Sequence, residues 1–323
     1  MKKHLRRGLI RVVEPLLLIL CAATLLFFIV RSWRNSRSSA EEADGGAEAA
    51  DLSAVTAISC NNGSETLVFS LGEDGKWHWL DESFPVDQDA VGGLLEALTS
   101  FTPTVTAASG ETVDLATYEL DSPTCAVSYT TAGGETTALQ FGKSAENGGA
   151  YVKYDDDDSA VYLAGASLMA QIRQELGDYC DVPVFPALTT DTMQGLTLSV
   201  GEASAAYTVR EQKGESRWFL SGRDVTDDAA FSAALEELSA LSFSECLVWS
   251  PPKASRTICG LIAPKAKLEI AYHDAAGRDC TMTLSIGAER SSGGYFAAWS
   301  LNDAIFALDS DAVADILALA ATL

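Results

Sequence analysis

GKWHWLDESFPVDQDAVGGLLEAL, residues 75–98, is answered by SRWFLSGRDVTDDAAFSAALEEL, residues 216–238, at an offset of 141 or close to it. Each block passes from a tryptophan (Trp77, Trp218) through an acidic residue (Asp87, Asp228) into apolar residues at helical spacing. An aspartate at such a start accepts hydrogen bonds from the first free N–H groups of a helix, so both blocks predict a strand followed by a capped helix. In the first helix Val91, Leu94, Leu95 and Leu98 form one apolar face.

Further blocks match in order. Leu120-Asp121-Ser122-Pro123 answers Leu261-Ile262-Ala263-Pro264, and Leu139-Gln140-Phe141-Gly142 answers Leu284-Ser285-Ile286-Gly287. Then Gly148-Gly149-Ala150-Tyr151 answers Ser292-Gly293-Gly294-Tyr295, and Ala160-Val161-Tyr162-Leu163 answers Ala304-Ile305-Phe306-Ala307. The chain therefore carries an internal repeat, residues 55–176 against 196–320. Each copy reads as β-hairpin, helix, loop, two or more strands, helix. In the first copy Glu65–Phe69 and Lys76–Leu80 flank a Gly-Glu-Asp-Gly turn. Ala126–Thr130 and Thr137–Phe141 flank Ala-Gly-Gly-Glu, and Tyr151–Tyr154 and Val161–Leu163 flank an aspartate run. Alternation around turn formers is the hairpin pattern. The expected class is α+β: an N-terminal transmembrane helix followed by two tandem repeats, each an antiparallel sheet packed with helices.

The expected boundaries are 1–33 for a basic stub and span, 34–51 for a flexible linker, 52–176 and 196–323 for the two repeat units, and 177–195 for a connector. The connector's Val182, Val184 and Phe185 predict that it packs. Leu16–Val30 holds no charge but rises only about 22 Å as a helix. Extended to Val12–Trp33 it reaches about 33 Å, near the roughly 30 Å hydrocarbon thickness of a bilayer. Arg31, Arg34 and Arg37 follow at once, and the nearest small-x-small site is Ala47-Glu48-Ala49, so a retained anchor is favoured over a cleaved signal peptide. Lys2, Lys3, Arg6, Arg7 and Arg11 precede the span, which predicts a cytoplasmic N-terminus and extracytoplasmic C-terminal domains in the cell membrane. The linker, without aromatic or large aliphatic residues, has a root-mean-square reach of roughly 23 Å.

Forty-five Asp and Glu against 22 Lys and Arg give a net charge of −23. Because the first 37 residues are basic, the remainder is more acidic still. Such a surface repels nucleic acid and anionic lipid, so no nucleic-acid partner is expected. Of seven cysteines, Cys21 lies in the apolar stretch. The other six are widely spaced without a CxxC, which reads as free thiols, with disulfides left open by their even number.

No catalytic or cofactor-binding residue is assigned, and no cofactor is expected. Phe141-Gly142-Lys143-Ser144 has the ending of a phosphate loop, but Thr137 stands where the first glycine is required, and the segment closes a strand. The three histidines are His4, His78 and His273, and no GxSxG elbow occurs. Asp155, Asp156, Asp157 and Asp158 are weak candidates for a metal, since hard cations take carboxylate oxygens; a solvated turn is the competing reading. Trp77, Trp79, Trp218, Trp249, Tyr295, Phe296 and Trp299 are compatible with a sugar platform. Their recurrence in both copies favours a structural role, with Trp249 the best candidate for exposure.

An N-terminal span, then GKWHWLDESFPVDQDAVGGLLEAL, YELDSP, LQFGK, GGAYVKY and AVYLAG, resembles the bacterial domain of unknown function 4340 family over most of residues 52–323. SRWFLSG and LIAPKA in the second copy are degenerate versions of the first. The resemblance implies an anchored envelope protein, often encoded beside gliding-motility-type ABC transporter subunits, and it transfers no catalytic residue. The expectation is a membrane-anchored extracytoplasmic interaction module, an accessory of an ABC transporter or envelope system. The alternative is a cell-wall or carbohydrate binding module or, further off, a wall-acting hydrolase.

Overall fold

The computed structural model describes residues 55–103, 106–110, 113–146 and 148–320. The expected span Val12–Trp33 and the linker 34–51 lie outside the described residues. Among those described, no helix is long and apolar enough to cross a membrane.

The protein is α+β and mostly sheet. The first sheet comprises β1 (Val55–Asn61), β2 (Thr66–Leu71), β3 (Trp77–Trp79), β4 (Thr106–Ser109), β5 (Cys125–Thr131), β6 (Thr136–Ser144), β7 (Ala150–Tyr154) and β8 (Ala160–Ala164). Its strand order is β3-β2-β1-β5-β6-β7-β8-β4. The second comprises β9 (Met193–Val200), β10 (Ala203–Gln212), β11 (Glu215–Leu220), β12 (Arg223–Asp224), β13 (Glu245–Trp249), β14 (Ala266–His273), β15 (Asp279–Glu289), β16 (Tyr295–Trp299) and β17 (Ala304–Leu308). It runs β12-β11-β10-β9-β14-β15-β16-β17-β13. Apart from the short edge strand β12, the two orders match strand for strand, and the strand pairs are antiparallel throughout.

The three hairpins expected in the first copy form as β2–β3, β5–β6 and β7–β8. What joins them into one sheet was not anticipated: β1 pairs with both β2 and β5, and β4 returns to close the far edge against β8. Neither stands out in sequence, because the four-residue β4 has no large apolar residue and β1 has no turn of its own.

Among the described residues five α-helices accompany the sheets: α1 (Gln88–Ser100), α2 (Ala166–Ile172), α3 (Ala229–Ala240), α4 (Lys253–Ile258) and α5 (Ala314–Ala320). Asp87 caps α1 through Asp89 N (2.9 Å) and Ala90 N (3.2 Å), and Asp228 caps α3 through Ala230 N (3.1 Å) and Phe231 N (3.3 Å). Val91, Leu94 and Leu98 of α1 are buried, as are Phe231, Ala234, Leu235 and Leu238 of α3. Full burial of a side chain of leucine or phenylalanine size stabilises by about 1.5–3 kcal/mol, so these faces bind the helices to their sheets.

Both sheets belong to one compact unit, Ala49–Leu323, and share a continuous apolar core. The connector takes part in it through Phe185, although Val184, expected to pack, is exposed. Phe185 packs on Phe243 and Trp299 at centroid distances of 4.6 and 5.2 Å, and Leu188 is buried.

Candidate functional site

The last strand of each sheet is built alike. β4 pairs with β8 through Thr106↔Tyr162 and Ala108↔Val161, with a bulge between Thr106 and Ala108. β13 pairs with β17 through Cys246↔Phe306 and Val248↔Ile305, with a bulge between Cys246 and Val248. Thr106 and Cys246 thus hold equivalent positions, but their surroundings differ. Cys246 is buried, whereas Thr106 and Ser109 are exposed.

The cover over β13 comes from the first half. A 3-10 turn, Leu176–Tyr179, approaches so closely that a Cβ on Gly177 would lie 2.1 Å from the Cys246 carbonyl oxygen. That turn is held in place by Asp87 N donating to Tyr179 O (2.8 Å) and Asp181 N to Pro85 O (2.8 Å). At the end of β13, Trp249 lies edge-on to Phe84 at 5.4 Å and donates from Nε1 to Asp81 Oδ2 at 3.2 Å. Two hydrogen bonds from Ser83, with a smaller part from Trp249, hold the Asp81 carboxyl below its ordinary range. β4 ends the first sheet, and no strand among the described residues pairs with its outward backbone edge. An unpaired edge offers N–H and C=O groups to an incoming strand.

A second feature is a recess of about 480 Å³ between β11, α3 and the connector. Thr190, Ser216, Trp218, Thr226, Ser232, Glu236 and Ser239 are among its lining residues. Trp218 N donates to Thr226 Oγ1 at 2.8 Å, and Ser232 Oγ to Thr226 O at 3.2 Å, so the wall is fixed. The Trp218 indole N–H is buried without a partner among the described residues. Hydroxyls and one carboxylate without a cation suit a neutral polyhydroxylated ligand.

The residues singled out in sequence are spread over the molecule. Asp155–Asp158 sit in the β7–β8 turn. Asp155 accepts from Gln140, Asp157 accepts from Ser159 N (2.8 Å) and Oγ (2.6 Å), and Asp158 pairs with the buried Lys153 at 2.7 Å. Among the described residues no group of three His, Cys, Asp or Glu is arranged to hold a metal. His78 Nε2 meets Asp74 at 3.0 Å and His273 Nδ1 meets Asp279 at 2.9 Å, each within its own hairpin. Gly142 does not open a phosphate cradle, since a Cβ there would lie 2.1 Å from the Tyr118 carbonyl. Lys143 Nζ instead lies over the Tyr118 and Tyr151 rings at 5.8 and 5.7 Å.

Trp77, Trp218 and Trp299 are buried, and Trp249, expected to be exposed, is half-buried against Phe84. Sequence reading missed the roof over β13, because Asp81, Phe84 and Gly177 are brought to it by chain crossing and share no spacing with Cys246.

A family model described as Domain of unknown function (DUF4340) matches residues 77–264, more than half of the chain, from β3 to just before β14. No curated protein and no solved structure matches.

Proposed function

The chain belongs to the DUF4340 family, and from that premise we propose that it is a non-enzymatic, membrane-anchored extracytoplasmic interaction module, an accessory of an ABC transporter or envelope system. In this reading Val12–Trp33 is a retained single-pass span with its N-terminus in the cytoplasm, and 34–51 is the tether. The observation that carries the docking role is the contrast between the two end strands: β13 is roofed by the first half, and β4, among the described residues, keeps an unpaired edge beside exposed Thr106 and Ser109. A partner segment adding to β4 gains main-chain hydrogen bonds, and the acidic surface selects a basic partner.

A photocrosslinking residue at position 106 in intact cells tests this. The reading expects adducts with a transporter or envelope protein from position 106 and none from the roofed position 246. Absence of adducts at 106, or recovery of the protein in the soluble fraction, contradicts it. The recess at Trp218 favours a second reading, a cell-wall glycan binder, which expects retention on purified wall polymer that Glu236→Ala and Ser216→Ala weaken.

A further inference from the structure

Six cysteines are free among the described residues, and two of them meet across the seam between the halves. Cys180 caps the 3-10 turn Leu176–Tyr179, and an isolated bridge ties its backbone to Val86. Cys246 lies on β13 directly beneath that turn, as the approach of Gly177 to its carbonyl requires. The two thiols hydrogen-bond each other, and they are 5% and 4% exposed.

We propose that Cys180 and Cys246 are an intramolecular disulfide site, closed by exchange with an external disulfide of the glutathione or thiol-oxidoreductase class, and that the bond fastens the connector to the end strand of the second sheet. The Cys180 S–H and the Val248 N–H both bond to the Cys246 sulfur and hold its thiol below the ordinary range, while the same contact with Cys246, and then burial, push Cys180 up. Either thiol can open the exchange. From Cys246, the thiolate displaces one sulfur of the external disulfide as a thiol, leaving a mixed disulfide. Cys180 then loses its proton, attacks the Cys246 sulfur and expels the second thiol. Two electrons and two protons pass to the external disulfide, and one S–S bond forms in the chain. Burial of both sulfurs confines the exchange to moments when the connector lifts, or to folding.

The other thiols lack this arrangement. Cys125 lies on the same face as Cys60, since Cys60 pairs with Val127. Burial, however, drives the Cys60 thiol up to about 12, and its S–H donates to Ile172 O at 3.4 Å. Cys259 is also pushed up by burial, and Cys280 faces Tyr272 across β14–β15.

The test incubates the full chain in detergent with oxidised glutathione, alkylates the remaining thiols under denaturing conditions and maps the linked peptides. The expected result is a Cys180–Cys246 peptide, a loss of two thiols and a rise in apparent Tm of about 5–10 °C that reduction reverses. C180S and C246S each lose the link, and C60S retains it. An unchanged thiol count, a link mapped to Cys60–Cys125, a glutathione adduct that never closes, or a mapped link without a rise in Tm overturns the proposal. The mapping needs only the unsubstituted chain, so a variant that fails to fold does not decide it.

Discussion

The ends of the two sheets differ more than anything else in the duplicated frame. β4 and β13 share a register and a bulge, yet one is exposed at Thr106 and the other is sealed at Cys246 beneath a turn of the opposite half. In tandem copies of one unit, the segment leaving the first copy is placed to cover the second. The copies thus diverge through position in the chain as much as through substitution. A smaller contrast repeats the point. Lys143 reaches Tyr151 from β6, whereas Lys265, just before β14, covers the corresponding Tyr295 at 4.9 Å. The same cation–π contact is rebuilt from a different strand position.

The largest expected effects test whether the frames are equivalent. A Cβ on Gly142 would meet the Tyr118 carbonyl at 2.1 Å, and one on Gly287 would meet the Cys259 carbonyl at 2.2 Å, at matching bulges of β6 and β15. Gly142→Ala and Gly287→Ala should each destabilise by about 3 kcal/mol in denaturant titration, since neither backbone can withdraw. A large loss from one and none from the other would break the equivalence. Next, Trp249→Ala removes the contact of β13 with Phe84 and Asp81 of the roof and should cost about 2 kcal/mol, less than a fully buried tryptophan because Trp249 is half-buried. No such group stands at Ser109.

Asp87→Ala and Asp228→Ala should each cost about 1 kcal/mol by chemical denaturation, as lost helix caps. Glu119 holds φ of 57° where the second half has Gly260 at φ 70°. Glu119→Gly should therefore stabilise by up to about 1 kcal/mol in the same assay, relieving a left-handed side chain. The smallest effect concerns acid. Asp81 has a lowered carboxyl in the folded state, so its contribution is present above the unfolded value near pH ~3.9 and disappears as pH falls through the folded one. Melting of Asp81→Asn between pH 2 and 5 (roughly, spanning the carboxylate range) should show a flatter low-pH limb than the parent.

Much of this was legible in the chain. Asp87 and Asp228 marked both helix starts, and the turn glycines marked the hairpins, because caps and turns are local and leave short-range patterns. The pairing of β1 with β5 and the return of β4 were not legible, since long-range register leaves no period in sequence. For the site, the sequence named Asp155–Asp158 as weak metal candidates and expected Trp249 to be exposed, whereas Trp249 is half-buried against Phe84. It did not show that Trp249 would be held by Asp81, or that Cys180 and Cys246 would meet, because those contacts depend on the path of the connector.

Native-state hydrogen exchange on the amides of Thr106–Ser109 and Glu245–Trp249 tests the account's central claim most directly. If the connector seals one end strand and leaves the other open, β13 amides exchange at least about tenfold more slowly than those of β4, a difference of roughly 1.4 kcal/mol in opening free energy. Equal rates, or slower exchange in β4, would contradict it.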